Sequence, residues 1–357
     1  MIRRLFLVAQ AVCGALALVR LARGRDLAAP LGVGAPRPQG AVSVVIPARD
    51  EVERIGPCLE GLARDRDVGE VIVVVDEDDL SGTDVAAESG GARVVRAPAL
   101  PAGWIGKPWA LQVGLEAASG QWLVTLDADT RPAAGLVAAL VAELEHADLV
   151  TAGVRFTCDT AGERLLHPAM LATLVYRFGP VGAGQPRASR TVANGQCLAM
   201  RRDAIVAAGG FARERGFMTD EIALVRSLAA DGWRIAFLDG ADLIGVDMHS
   251  DAREVWREWG RSLSMGDVTP RASQALDLAV IWLAMTAPLV RVLRGRATPL
   301  DWLLACVRVA LLGPLRRVYE RRGAPFWLSP LADPLAATRL TLSTLRPVRT
   351  WRGRTYR

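Results

Sequence analysis

The chain has 357 residues, of which 51% are hydrophobic, and its formal net charge at pH 7 is +5. This length exceeds a single small module, and the apolar fraction is high for a soluble domain, so apolar surface beyond one core is expected. Much of the basic excess lies near the termini beside apolar runs, which suits anionic lipid headgroups, and no nucleic-acid-binding motif occurs. We therefore expect a membrane partner and no nucleic acid.

Residues 5–22 form an apolar run interrupted only by Gln10 and Arg20, with Arg3 and Arg4 before it. This pattern predicts a membrane anchor or an interfacial helix over residues 1–23, with a cleaved signal peptide as the alternative. Residues 24–41 are rich in Gly, Pro and Arg and are interpreted as a linker.

Runs of β-branched residues predict strands at 42–46, 70–75, 92–95, 121–126 and 148–154. Helical patterns separate them around 55–62 and at 83–89, 109–118 and 134–145. The strand segments are continuously apolar rather than alternating, which is typical of a parallel sheet covered on both faces. The fold class predicted is α/β, with a mostly parallel sheet and flanking helices.

The second half predicts strands at 192–200 and 233–238 and helices at 201–211 and 219–232, the latter capped by Thr219 and stopped by Gly232. Two apolar helices follow at 275–293 and 299–315, and then a basic segment at 316–357. Asp277, Asp301 and Arg308 weaken an interpretation as two membrane spans. Amphipathic helices lying in the headgroup region are the alternative.

Acidic residues follow the strands that end near positions 48, 75 and 126. Because parallel strands gather ligands beyond their carboxyl ends, these clusters should converge on one edge of the sheet. Asp127 and Asp129 alternate along extended backbone and should point the same way. Such a pair can hold Mg²⁺ or Mn²⁺ against phosphate oxygens, as a nucleotide-sugar enzyme requires, although acidic residues also end strands in ordinary loops. His249 is a candidate third metal ligand, or a structural histidine.

Asp76, Asp78 and Asp79 either supply an acceptor for a uracil imide N–H or form a solvated acidic turn. Glu51 either meets ribose hydroxyls or complements a helix dipole. Lys107 is the only lysine among 43 basic residues, which suggests a tight phosphate or sugar pocket that needs a compact ammonium, with chance as the alternative.

Asp220 and Glu221 open a predicted helix, where they could be a catalytic base or simple dipole complements. Trp256 and Trp259 should share one helix face. They could form a sugar platform, with Arg261 near a diphosphate, or they could serve core packing or membrane contact.

The ordered segments VSVVIPARDE, VVVDEDDLSGTD, GKPWAL, TLDADT, NGQCLAMRRDAIVAAGGF and TDEIALVRSLAADGWRI resemble family-2 glycosyltransferases of the GT-A fold, a Rossmann-like nucleotide-diphospho-sugar transferase fold. The resemblance implies a catalytic domain over 42–265, an inverting mechanism and a UDP-sugar donor, with Asp220 or Glu221 as the base. It leaves the uracil contact open between Asp76 and Asp78. WREWGRSL matches the Gln-x-x-Arg-Trp element of processive members only loosely, so processivity is not inferred.

The residues and the resemblance together yield three sets. The expected donor contacts are Pro47, Arg49, Glu51, Asp76, Asp78, Asp79, Lys107, Asp127 and Arg261. The expected acceptor-side residues are Asn194, Gly195, Gln196, Trp256 and Trp259. The expected metal ligands are Asp127, Asp129 and His249.

The C-terminal stretch 326–356 resembles the membrane-associated transferases of hopanoid and carotenoid pathways. This implies transfer to a hydroxyl or carboxyl of a lipid acceptor, at the cell membrane. Five scattered cysteines without a CxxC pair fit a reducing compartment, so the catalytic domain is expected to face the cytoplasm. Two apolar membrane helices are expected over 275–315.

Three rival functions are weighed against this one. A catalytically silent membrane protein could bind nucleotide sugar as a scaffold or sensor. A nucleotidyltransferase would usually carry a Gly-rich basic loop after the first strand, and ARDEVERIG lacks one. A processive polysaccharide synthase would need more clear membrane spans.

Overall fold

The structure is a computed structural model that describes residues 1–184, 187–347, 350–351 and 354–356. The chain divides into two compact units. The helical unit comprises Met1–Leu27, Thr157–Ala183 and His249–Arg349, and the sheet unit comprises Ala28–Phe156, Gly184–Met248 and Thr350–Arg357. The predicted catalytic domain, 42–265, therefore contributes residues to both units, and its limits remain a prediction.

The strands are β1 (Val42–Ala48), β2 (Glu70–Val75), β3 (Arg93–Arg96), β4 (Trp122–Leu126), β5 (Thr130–Pro132), β6 (Leu149–Gly153), β7 (Arg155–Phe156), β8 (Cys197–Arg201), β9 (Ile235–Asp239), β10 (Ile244–Val246), β11 (Thr350–Trp351) and β12 (Arg354–Thr355). The helices are α1 (Ile2–Ala22), α2 (Ile55–Ala63), α3 (Thr83–Ser89), α4 (Gly106–Ala117), α5 (Leu136–Glu143), α6 (Ala161–Phe178), α7 (Arg202–Ala207), α8 (Asp220–Ala230), α9 (Ala252–Ser262), α10 (Arg271–Val280), α11 (Ala287–Leu293), α12 (Pro299–Ala310), α13 (Leu312–Leu315), α14 (Gly323–Trp327) and α15 (Asp333–Leu345). A π-helical segment, Ile281–Thr286, joins α10 to α11.

The sheet unit is built on a seven-stranded sheet in the order β3-β2-β1-β4-β8-β6-β9. Every neighbouring pair is parallel except those of β8, which runs antiparallel to both β4 and β6. Val44 and Ile46 pack into one buried cluster, whereas Val45 packs into another, so β1 is covered on both faces. The predicted α/β fold with a mostly parallel sheet is confirmed.

Several local predictions differ from the structure. The predicted strand 192–200 begins only at Cys197, because Asn194 bonds to Thr151 and Ala152 in a turn. The predicted helix 201–211 breaks after Ala207, where Gly209 and Gly210 have positive φ angles of 98° and 61°. Helix α6 and the small sheet β5-β10-β7 were not predicted.

Helix α8 begins after Thr219, the predicted N-cap residue, but the expected capping hydrogen bond is not formed. Thr219 occupies the N-cap position, but its side chain makes no capping hydrogen bond. Its φ and ψ of −107° and 63° depart from the usual extended conformation of a capping residue. Gly232 follows the helix with φ of 93°, as a stop residue should.

The helical unit buries its ionic side chains in pairs. Asp277 lies 3.2 Å from Arg20 and 3.4 Å from Arg177, and Arg308 donates two 2.8 Å hydrogen bonds to Asp333. Charges are tolerated in an apolar interior when they are paired in this way. Asp277 and Arg308, two of the residues that weakened a two-span interpretation of 275–315, are thus internal partners.

Among the described residues, two helical stretches are long and apolar enough to cross a membrane: Arg3–Arg25 and Arg271–Leu293. The predicted second C-terminal apolar helix, 299–315, is instead divided into α12 and α13. Along α1, Leu5, Val8, Val12 and Val19 are exposed, each by 60% or more. Length, composition and this apolar face suggest membrane association only weakly, and they leave the orientation open.

Candidate functional site

The predicted site begins where β1 and β4 of the sheet unit end. The chain leaves β1 through Asp50, whose φ of 57° is unusual for a residue other than glycine. The N–H of Asp50 donates to Asp79 at 2.9 Å, and the N–H of Glu51 donates to Thr83 at 3.1 Å. These bonds hold the turn that carries the half-buried Arg49 and the buried Glu51 at the carboxyl edge of the sheet.

Lys107 forms the central ion pair of this edge. It lies in the first turn of α4, and its Nζ is 2.7 Å from Asp127 Oδ1 and donates to the carbonyl of Gly195 at 3.3 Å. Burial works against the charged amine, but the carboxylates of Asp127, Asp220 and Glu221 outweigh it and raise the pKa of Lys107. The only lysine of the chain therefore stays positively charged among these three carboxylates.

The neighbours of Asp129 oppose its charged form, whereas those of Lys107 favour the charged amine. Its Oδ1 is buried and has no hydrogen-bond partner among the described residues. Burial, then the charge of Asp127, then that of Glu51 raise the pKa of Asp129 to about 7. Three carboxylates thus crowd together, and Lys107 and Arg54 offset only part of their repulsion.

This donor set fits a divalent cation held jointly by the protein and by a ligand. Asp127 and Asp129 supply hard oxygen ligands, and the unpartnered Oδ1 of Asp129 is the kind of group that a cation would satisfy. Within the described residues no group of three His, Cys, Asp or Glu side chains is arranged for metal binding. The remaining coordination positions would therefore fall to phosphate oxygens and water.

His249, predicted as a third metal ligand, belongs to the helical unit. It is buried there, and its ring centroid lies 5.7 Å from that of His167. A ligand role for His249 remains a prediction. Its packing against His167 fits the alternative, a structural histidine.

The acidic pair at the start of α8 lies in the same charged region as Lys107. Burial, then the neighbouring Asp220, raise the pKa of Glu221 to about 8. Glu214, which the sequence analysis missed, is also buried, and burial together with Asp220 raises its pKa well above the ordinary value. Only its position six residues before Asp220 could have signalled it, and that spacing carries no motif.

The loop 194–196 joins these groups. Thr151 and Ala152 of β6 bind Asn194, while the carbonyl of Gln196 accepts the N–H of Asp127 at 3.1 Å. A Cβ placed on Gly195 would lie 3.1 Å from both Cγ and Cδ of Glu221. The predicted acceptor-side segment is therefore wedged between the lysine–aspartate pair and the acidic pair.

Asp76 and Asp78 lie beyond β2, and both accept hydrogen bonds from Arg354 of β12. Arg49 also donates to Asp76, at 3.4 Å. Asp79 differs, because its oxygens are taken by the N–H of Asp50 and by the N–H and hydroxyl of Ser81. Asp79 consequently shapes the turn, and Asp76 and Asp78 remain the candidates for a nucleobase contact.

The other predicted residues occupy less distinctive positions. Pro47 lies within β1, opposite Val74 of β2. In the helical unit, the ring of Trp259 packs 5.1 Å from His167, and Arg339 lies 5.4 Å from the ring of Trp256. Packing thus accounts for both tryptophans.

Arg261, predicted near the diphosphate, lies on α9 of the helical unit. Its Nη1 donates to Glu258 at 2.9 Å, a pair one helical turn apart. Its donor role stays a prediction.

The sheet unit has an α/β, GT-A-like fold, and its paired carboxylates and lysine lie at the carboxyl edge, where such sheets bind ligands. The family model "Glycosyltransferase like family 2" matches residues 38–271, well over half of the chain. The chain belongs to this family, and the family part of the sequence-based resemblance is confirmed.

Two solved structures are similar to this chain. The mannosyltransferase PcManGT from Pyrobaculum calidifontis, in complex with GDP-Man and Mn²⁺, is 18% identical, with 97% of this chain and 99% of that chain covered and a TM-score of 0.59. Glucosyl-3-phosphoglycerate synthase from Mycobacterium tuberculosis, in complex with Mn²⁺, UDP and its product, is 22% identical over 71% of this chain and 88% of that chain, with a TM-score of 0.43. The first likeness shows a shared fold, and the second is too distant to add to it. No curated protein matches the chain.

Proposed function

We propose that this chain is an inverting glycosyltransferase that moves a sugar from a nucleoside-diphosphate donor to a lipid acceptor in the membrane. The observation that carries the proposal is the clustering of Lys107, Asp127, Asp129 and Glu221 at the carboxyl edge of a GT-A-like sheet. Family membership supports nucleotide-sugar glycosyltransferase activity in general. A UDP-sugar is the donor we favour, and a GDP-sugar belongs in the same test because the PcManGT complex contains one.

Asp127 and Asp129 would hold Mg²⁺ or Mn²⁺, which when bound supplies positive charge to the diphosphate as it leaves. Lys107 adds a fixed ammonium beside Asp127, where it can hold the same anionic leaving group. Its second bond, to the Gly195 carbonyl, keeps the amine in place before the donor arrives. Asp76 or Asp78 contacts the nucleobase, and Glu51 contacts the ribose.

Glu221 is the base that we favour for the acceptor. With a pKa of about 8, its carboxylate is a stronger base than an ordinary glutamate once ionised. It takes the proton of an acceptor hydroxyl, the oxygen bonds to the anomeric carbon, and the bond from that carbon to the diphosphate oxygen breaks. Asp220, next to it, raises the pKa of Glu221 and so tunes its basicity.

The lipid nature of the acceptor is supported by the helical unit. The exposed apolar face of α1 would be in contact with lipid tails, and Trp302, Leu303, Trp327 and Leu331 add exposed apolar surface on the C-terminal helices. A carotenoid or hopanoid acceptor follows from the sequence resemblance of 326–356 alone. The enzyme is proposed to act at the cell membrane with its catalytic site on the cytoplasmic side.

The decisive experiment incubates purified full-length protein with Mn²⁺, radiolabelled UDP- or GDP-sugars and a membrane lipid extract. We expect label in the lipid fraction with wild type and none with Asp129→Asn. Asp67→Asn, a change in the ion pair between the half-buried Asp67 and the exposed Arg37, is the matched control and should transfer normally. Mass spectrometry of the labelled lipid identifies the acceptor class and the sugar mass.

Three results would contradict the proposal in different ways. Donor binding without transfer or hydrolysis would favour the silent scaffold. Growth of long glycan chains would favour a processive synthase. Transfer by Asp129→Asn at the wild-type rate would remove the proposed metal pair.

A further inference from the structure

The last described residues of the chain return to the sheet unit as a short hairpin. Thr350 pairs with Thr355 and Trp351 with Arg354 across β11 and β12. We call residues 350–351 and 354–356 the C-terminal hairpin. It touches two segments that carry proposed donor residues: the loop after β2 and the first turn of α4.

The first contact is a charged fork. Arg354 Nη1 donates to Asp76 Oδ2 at 2.8 Å, and Nη2 donates to Asp76 Oδ1 at 2.9 Å and also to Asp78. Such bidentate pairs fix the plane of a carboxylate as well as its position. The side chains of Arg354 and Asp76 are only 19% and 12% exposed, so solvent weakens the pair less than it would at an open surface.

The two carboxylate oxygens of Asp76 accept different numbers of hydrogen bonds. Oδ1 accepts from Arg354, from Arg49 at 3.4 Å and from the N–H of Asp78 at 3.1 Å. Oδ2 accepts only from Arg354 among the described residues. Because each carboxylate oxygen has about two acceptor positions, Oδ2 retains one, and the fork fixes its direction.

The second contact reaches the lysine segment. The N–H of Gly106, the first residue of α4, donates to the hydroxyl of Tyr356 at 3.3 Å. Lys107 follows directly. The C-terminal hairpin thus bonds both to the proposed nucleobase carboxylate and to the residue before the proposed phosphate-binding lysine.

We infer that the C-terminal hairpin is a donor-positioning element, in which Arg354 aims Asp76 Oδ2 at a nucleobase N–H and Tyr356 steadies the start of α4. This inference rests on the proposed function. The opposite role, a plug that competes with the donor, is disfavoured because the fork leaves the second acceptor position of Oδ2 available.

The test measures binding of UDP, GDP and inorganic pyrophosphate, each with Mn²⁺, to the full-length protein by calorimetry. Arg354→Ala should weaken binding of the preferred nucleotide about tenfold, the loss expected for one misaligned hydrogen bond to a charged group. Pyrophosphate binding should not change, because it has no base. Arg354→Lys should not restore affinity, since an ammonium lacks the fork. Tyr356→Phe should slightly weaken binding of both the preferred nucleotide and pyrophosphate.

A double-variant cycle isolates the coupling. Asp76→Ala with Arg354→Ala should bind no more weakly than Asp76→Ala alone, because Arg354 acts through Asp76. Arg346→Ala, at an exposed arginine directly after α15, is the control and should match wild type.

The outcomes separate the two proposals. Equal or tighter nucleotide binding by Arg354→Ala overturns the positioning role, and tighter binding identifies a plug. Equal weakening of pyrophosphate and nucleotide also overturns it, because the effect would then not lie at the base. Wild-type protein that binds no nucleotide overturns the proposed function, and this inference with it.

Discussion

Gly195 lies directly against Glu221: a Cβ on the glycine would stand 3.1 Å from the Cγ and Cδ of the glutamate. Such a separation is tighter than nine in ten real Cβ contacts, so the glutamate would have to shift by a few tenths of an ångström. Because Lys107 also bonds to the Gly195 carbonyl, this loop is where the two charged halves of the proposed site meet.

Gly195→Ala should therefore displace Glu221 by a few tenths of an ångström and lower kcat, by less than the roughly 10²-fold that a full ångström of misplacement costs. The free energy of unfolding should fall by about 1–3 kcal/mol from overpacking. Steady-state kinetics and urea unfolding measure the two effects. Gly56→Ala, which meets nothing within 4 Å on α2, is the matched control and should be neutral or stabilising. Unchanged kcat in Gly195→Ala would refute a catalytic role for the adjacent Glu221.

The raised pKa of Glu221 predicts a pH dependence of the rate. A base must be ionised, so kcat should rise with pH and level off above about pH 8. Glu221→Gln should abolish transfer at all pH values. Asp220→Asn should lower the pKa of Glu221 by removing the neighbouring charge, and the rising limb should shift to lower pH. A limb that stays in place in Asp220→Asn would contradict this coupling.

The same shift predicts a pH dependence of stability. Since the folded pKa of about 8 exceeds the ordinary 4.5, the folded protein holds an extra proton between these values. Its stabilising effect is complete below pH 4.5 and is lost as pH rises through 8. Glu221→Gln lacks this loss, so it should gain stability relative to wild type over that window. Parallel stability curves for the two proteins would show that Glu221 is not buried among carboxylates.

Lys107 should tolerate no replacement. Lys107→Met removes the cation paired with Asp127, and donor turnover should fall by about 10²–10³-fold, as when one charge-stabilising donor is removed from a transition state. Lys107→Arg should rescue little, because a planar fork does not fit between Asp127 and the Gly195 carbonyl. Arg64→Met, at an exposed pair with Glu60, is the control. Kinetics that match wild type in Lys107→Arg would mean that only charge matters here.

The exposed face of α1 can be tested without disturbing the core. Leu5, Val12 and Val19 are 60–66% exposed, whereas Cys13 and Ala17 of the same helix are buried. Wild-type protein should co-sediment with anionic vesicles. A variant with serine at the three exposed positions should stay in the supernatant, with little change in its thermal midpoint. Wild-type protein and samples without vesicles serve as controls. Undiminished sedimentation of the triple variant would assign membrane contact to other surfaces.

The sequence alone was sufficient for the strands that lie at the centre of the sheet. Continuous β-branched runs predicted β1, β2 and β4 closely, because residues buried on both faces leave a pattern within a few neighbouring positions. The same local logic predicted that Glu51, Asp127 and Asp129 would meet at one edge, and each does influence the charge state there. The position of strand β8 could not be predicted in this way, because no local sequence pattern indicates that it inserts antiparallel between β4 and β6.

Only the tertiary structure decided the remaining members of the site. Arg354 reaches Asp76 from 278 positions along the chain, and Glu214 joins Asp220 through the turn that precedes α8. It also placed His249 beside His167 in the helical unit. Local periodicity records whether a residue is buried and on which face, whereas a long-range contact depends on how distant segments pack. The carboxylates were therefore visible in the sequence, and the groups that orient them were not.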